Sequence, residues 1–424
     1  MIKNKLQILI FSLIILSSLI THAQITRISS PYSRFGLGEM QNTNYSGNFG
    51  MAGIGYGFRN SANVNYFNPA SYTALDSSSF VYEANIFGTL TQTRTWDLSQ
   101  KSSYASLGSL TFAFPVTGWW YSSFGLLPYS SVGYKISDIK YPSEIGQVTY
   151  KYEGDGGLNQ IYIGNAFKLN KHLSFGFNAD YIFGYINETE SENYTDLSFI
   201  SLQKVKSLRF NHLNFNLGLQ YYTDLKNDLK LTTGASFTIP QRINAMQDLV
   251  ITTFKENETN YYAKDTIENS TDNKISVKMP LYFGAGFTLQ KKDKWMIGVD
   301  YTFQNWSDFS IDRVSDNLKD SHIISAGGEI IPSKISNNYL KKIAYRAGLS
   351  YNFSDLLLKD KRINEYGFYL GFGFPMRRSK SMINVAFELG RRGTTANGLI
   401  KENFAKANIA FTLHDRWFIK RKYE

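Results

Sequence analysis

Cysteine is absent from the 424 residues, proline occurs nine times and histidine five. Without thiols the chain has no disulfide framework, no thiolate metal cluster and no cysteine nucleophile. Long apolar runs are also missing. The longest, Ile8 to Ile20, spans thirteen residues, short of the ~18 that a membrane helix needs. Charge is sparse, with 19% Asp, Glu, Lys and Arg, yet Lys+Arg outnumber Asp+Glu by 45 to 35, a net +10. The cations are scattered. Their one dense cluster, Arg416, Lys420, Arg421 and Lys422, has no nucleic-acid motif around it, so no nucleic-acid partner is expected.

Aromatic residues fill the place of what is missing: 31 Phe, 29 Tyr and 6 Trp, with 33 glycines among them. That mixture suits strands and turns rather than helices. At the start, Lys3 and Lys5, the apolar stretch and Thr21-His22-Ala23 read as a secretory signal cleaved near Ala23. The domain reading is therefore signal 1–23, a segment 24–78 and a strand-rich region 79–424.

Strict alternation carries the fold class. Leu173, Phe175, Phe177, Ala179, Tyr181 and Phe183 share one face, and Ser174, Gly176, Asn178, Asp180 and Gly184 share the other. Similar runs mark fourteen candidate strands: 79–94, 102–115, 119–136, 157–169, 172–190, 205–224, 228–255, 272–289, 293–306, 320–331, 341–354, 363–375, 381–391 and 403–413. A bulky apolar face opposite Gly, Ser, Asn and Thr is the pattern of a wall between lipid and a wet interior. A soluble core would carry charge on its second face. The expected fold is all-β, a transmembrane antiparallel β-barrel of about 14 strands in the outer membrane of a Gram-negative bacterium, with lipid as its first partner. Polar stretches such as Glu188 to Asp196 and Lys255 to Lys274 read as outer loops, and short joints such as Leu169 to Lys171 as inner turns. Trp96, Trp119, Trp120, Trp295 and Trp306 fall near strand ends, where an aromatic girdle lies.

Chemistry is thin. His172, His212, His322 and His414 form no H-E-x-x-H motif, and neither a G-x-S-x-G nor a P-loop occurs, so no enzyme and no cofactor are expected. Asp180, Asp300, Arg346, Glu388 and Lys406 fall on the polar face. They read as lumen charges that pair with Arg27, Arg34, Glu39 and Arg59 of the N-terminal segment. Arg346 is the candidate for a ligand carboxylate, because a guanidinium fork matches one. Pro128, inside the third candidate strand, removes one ladder donor and marks a candidate lateral-opening kink.

Residues 24–78 lack alternation. They carry Gly50-Met51-Ala52-Gly53-Ile54-Gly55 and end on Asn68-Pro69-Ala70, where a tight turn is expected, and their length suits a hatch inside the lumen. With these motifs, and the later stretch from Met279-Pro280-Leu281 to Asn305-Trp306-Ser307-Asp308-Phe309, the chain resembles the FadL family of outer-membrane long-chain fatty-acid and hydrocarbon channels. The resemblance implies fourteen strands, a plugging hatch, a pocket for hydrophobic small molecules and lateral release beside a kinked strand. The opening Ser30-Pro31-Tyr32-Ser33-Arg34-Phe35-Gly36 and the basic tail resemble a Bacteroidota branch. Some FadL-like barrels of that phylum serve as subunits of larger secretion machinery, so the expectations are a channel and, as its rival, a non-transporting subunit of an outer-membrane secretion or protein-insertion complex.

Overall fold

The protein is described by a computed structural model over residues 30–41, 46–256, 261–314, 317–377 and 379–416. The signal and its cleavage site, Arg27 and the basic tail beyond Arg416 lie outside the described residues.

Fourteen strands make one closed antiparallel barrel. In chain order they are β1 (Ser79–Arg94), β2 (Ser99–Pro115), β3 (Trp120–Lys140), β4 (Val148–Lys168), β5 (Leu173–Tyr194), β6 (Ser201–Asp224) and β7 (Leu229–Thr238). The second half is β8 (Tyr282–Lys291), β9 (Trp295–Gln304), β10 (Ser321–Ile330), β11 (Ala344–Phe353), β12 (Glu365–Pro375), β13 (Met382–Gly393) and β14 (Lys401–Arg416). Each pairs with the next, and β14 returns to β1 over Ser79–Arg94 against Arg416–Lys401, which closes the sheet. Closure leaves no free outer strand at either end of the sheet, the condition for a sheet to sit in lipid.

Every candidate segment from the sequence holds a barrel strand, with two differences. The seventh and eighth segments are each broken, at Pro240 and Pro280. Below the breaks Thr238 faces Tyr282; above them Arg242 faces Lys278, and Arg242–Glu256 and Tyr261–Lys278 continue outward as a hairpin against the outer half of β6. Proline offers no N–H to a ladder, so two prolines at one height make a joint. In addition, β4, β5 and β6 run further outward than the alternation reached, to Val148, Tyr194 and Ser201.

Those extensions explain themselves through the environment. At membrane level the outward residues are apolar and exposed, as Leu213 (54%) and Tyr181 (44%) are, whereas Ser174, Asn178 and Gln220 are sealed inside. Further out the pleat continues but the chemistry swaps. The inward residues become Ile182, Ile186, Leu208 and Phe210, which join Ile243, Ile275 and Val277 in an apolar core, while Arg209 faces out. Beyond the bilayer both outer faces meet water, so apolar groups must turn inward. Trp306 follows this rule instead of joining the girdle. It sits at 4% exposure on the short helical turn Trp306–Asp308, packed edge-on to Phe309 and Tyr282.

Candidate functional site in the barrel lumen

Of the N-terminal segment, residues 30–41 and 46–75 lie inside the wall, the former in the outer half and the latter reaching the inner half. Residues 30–41 run along the edge of β3: the Ser30 amide donates to the Gly133 carbonyl, and a two-residue strand, Glu39–Met40, pairs with Ser131 and Ser130. Residues 46–75 then cross the inner half. Their backbone sits directly on wall glycines, and a Cβ added to Gly234 would lie 1.9 Å from the Tyr56 carbonyl oxygen. One added to Gly284 would lie 1.8 Å from the Tyr56 ring. Small residues in the wall therefore let the segment's backbone reach the strands.

Asn68, Pro69 and Ala70 are all fully or almost fully buried. Pro69 opens a 3-10 helix, Pro69–Ala74, whose cap is Asn68: its side-chain oxygen accepts from the Ala70 amide at 3.2 Å. The Asn68 side-chain amide donates to the carbonyls of Tyr56 (2.9 Å) and of Leu219 on β6 (3.0 Å), so one residue ties two parts of the segment to the wall. Tyr72 from the same helix reaches the Asn178 side chain of β5 at 3.0 Å.

The five lumen charges divide. Asp300 on β9 accepts from the backbone amides of Gly55 (2.6 Å) and Tyr56 (3.0 Å), and Asp180 on β5 faces Tyr66. Glu388 and Lys406 meet each other across β13 and β14 at 3.7 Å, and Glu388 also accepts from Tyr369 at 2.6 Å. Arg346 on β11 donates to Glu329 of β10 at 2.7 Å and to Asn384 of β13 at 2.6 Å. The segment's own ions find other partners. Arg34 pairs with Glu190 at 3.2 Å and stacks on Tyr152, while Arg59 donates to Gln220 and stacks on Tyr222. Burial lowers the Arg59 pKa to about 10, which leaves it cationic at neutral pH. Burial and the neighbouring Glu402 push Tyr32 up to about 12, so its hydroxyl stays protonated and donates to the Ile400 carbonyl.

One cluster escaped the sequence reading. Arg392 on β13 meets Glu39 (3.2 Å), Glu365 of β12 (3.1 Å) and Glu402 of β14 (3.3 Å), and Ser30 donates to Glu402. Strand register brings it together, setting Glu365, Arg392 and Glu402 in one row.

The wall has a gap beside this cluster. β2 and β3 pair only from Leu110–Leu126 to Pro115–Tyr121, and the ladder ends two residues before Pro128. Pro128 itself faces Asn159 of β4, where the register slips by one residue before Ser130. Above the gap the edge of β3 is taken by Glu39–Met40 instead of β2. A cavity of about 320 Å³ lies behind it, lined by Phe35, Tyr129, Tyr282 and Trp306 together with Asn214, Asn216, Asn352 and Arg392.

Solved structures share this fold at low identity. The CymD monoaromatic hydrocarbon channel is 14% identical, with a TM-score of 0.57 over 90% of this chain and 99% of its own. The Pseudomonas putida toluene transporter TodX is 14% identical, with a TM-score of 0.56 over 93% of this chain and 100% of its own. A Pseudomonas aeruginosa FadL homologue is 13% identical, with a TM-score of 0.56 over 89% of this chain and 98% of its own. No curated protein matches. The protein thus shares the barrel fold of FadL-type channels, and since the sequence model of the BamG family matches residues 1–424, the chain belongs to the BamG family.

Proposed function

We propose that this protein is a plugged barrel that works by docking, as a non-transporting subunit of a larger outer-membrane secretion or protein-insertion assembly, with residues 24–78 as its hatch. The observation that carries this reading is the seat of residues 46–75, whose backbone lies against wall glycines with no room for a methyl group between them. At that level the lumen is lined by Asn178, Asn216, Gln220, Ser236 and Asp300. A hydrocarbon gains nothing by leaving the bilayer for such a lining. Membership of the BamG family is compatible with this reading.

Purification from native membranes in mild detergent tests it. One dominant large partner should co-purify in stoichiometric amount, and a deletion strain should take up oleate normally. A second reading, a channel for hydrophobic small molecules, is favoured by the wall gap beside Pro128 and the aromatic residues of the cavity behind it. On that reading a fatty carboxylate at Arg346 has to displace Glu329. Loss of oleate uptake in a Pro128→Ala or hatch variant whose barrel assembles normally would establish the channel and end the docking reading.

A further inference from the structure

The inner mouth of the barrel differs chemically from the lumen above it. Beneath residues 46–75 the wall opens into a cup of about 1970 Å³. That is roughly twice the upper end, ~1,000 Å³, of ordinary small-molecule pockets. Among the described residues, eleven Lys and Arg line it against five Asp and Glu. Three of those carboxylates already hold a cation: Glu329 holds Arg346, Asp293 holds Lys334 and Asp76 holds Lys380. Among the described residues, Lys230, Lys291, Lys292, Lys294 and Lys342 have no carboxylate at ion-pair distance.

Arg59 at the floor of the cup comes from the N-terminal segment, and Lys230 comes from β7. Both lie over the Tyr222 ring, at 3.9 and 5.1 Å from its centroid. The hydrogen bond of Arg59 goes to the uncharged Gln220. Two cations on one ring repel each other, and a bound anion removes that repulsion.

We propose that the cup docks an acidic polypeptide segment of a periplasmic protein. The proposal rests on the docking reading above and names the chemistry of one partner. The cup opens on the side of the short turns and of both barrel ends, Ser79 and Arg416, which is the periplasmic side. Strand ends enclose it, so bilayer headgroups stay outside the wall. Its volume takes a chain segment, and its carboxylates would meet ammonium and guanidinium groups held on a rigid rim.

The test uses detergent-purified full-length protein and a fluorescein-labelled peptide of Glu and Ser residues, followed by fluorescence anisotropy. The wild type should bind it, and higher salt should weaken binding about tenfold. The variant Lys291→Glu/Lys292→Glu/Lys294→Glu, altered in the β8–β9 joint, should lose binding by about tenfold or more. Lys101→Glu at the outer rim should bind like the wild type. Heat-modified gel mobility confirms that each barrel is folded. Equal binding by the triple variant overturns the proposal. So does competition by inorganic phosphate at matched charge, or capture of phosphatidylglycerol vesicles that depends on the same lysines. Peptide binding absent from a protein that still co-purifies with its membrane partner sinks the cup alone, whereas an empty purification sinks the docking reading.

Discussion

The inner and outer halves of this barrel use one pleat for opposite purposes. On β6, Asn216 and Gln220 face in and Leu213 and Leu219 face out, yet a few residues further along Leu208 and Phe210 face in and Arg209 faces out. The inner half combines hydrogen bonds to the N-terminal segment with small apolar clusters such as Met51, Ile54, Phe58 and Met296, whereas the outer half is built round one large apolar core. What changes between them is the solvent outside, hydrocarbon below and water above. The comparison shows that a strand's inward face cannot be named from polarity until its height in the membrane is known.

Substitutions in each half should break that contrast to different extents. Ile182→Asp, at a position fully sealed in the outer core, should be the most damaging. An unpaired carboxylate there costs several kcal/mol, about 3 or more, and no heat-stable folded barrel should be recovered from urea titration in vesicles. Leu213→Asn, on the lipid face, gives the matching control, with a smaller loss. Arg392→Ala comes next, because it removes the cation that Glu39, Glu365 and Glu402 share as ion-pair partner. Removing one partner of such a cluster costs about 3–5 kcal/mol, which should appear as a lower unfolding midpoint and faster tryptic cleavage at Arg34.

Gly234→Ala tests the inner seat and should cost about 1–3 kcal/mol by overpacking against Tyr56. Faster proteolysis at Arg59, with the barrel itself intact, is the expected readout; unchanged protection would mean that the segment does not bear on the wall there. Lys334→Ala should do least. Its pair with Asp293 is about half exposed on both sides, worth ~0–1 kcal/mol. The hydrogen bond from Lys334 holds Asp293 below the ordinary carboxylate range. That contribution is therefore present above the unfolded pKa and is lost as pH falls through the lowered folded value. Melting curves of wild type and variant should differ slightly at neutral pH and coincide in acid.

The sequence located the lumen-facing charges but not their partners, for local reasons. Asp300 and Asp180 were found on the polar face, and both face the N-terminal segment. The partners were not found. The sequence paired lumen charges with Arg34, Glu39 and Arg59, but Asp300 takes backbone amides, whereas Arg34 goes to Glu190 and Arg59 to Gln220. Backbone donors carry no side-chain signature, so a carboxylate that uses them looks unpartnered in a sequence. Trp306 was misplaced because its position near a strand end says nothing about which side of the wall the following turn folds to.

Period-two alternation, turn residues and the count of segments determined by themselves that this chain is a fourteen-stranded antiparallel barrel, because those are local consequences of one pleat meeting lipid on one side. Which lysines share a cup, where Arg392 finds three carboxylates, and which glycines receive the backbone of residues 46–75 were decided only by strand register and closure of the barrel. Closure brings together residues hundreds of positions apart at distances set by strand register and curvature, and no window along the chain contains that information.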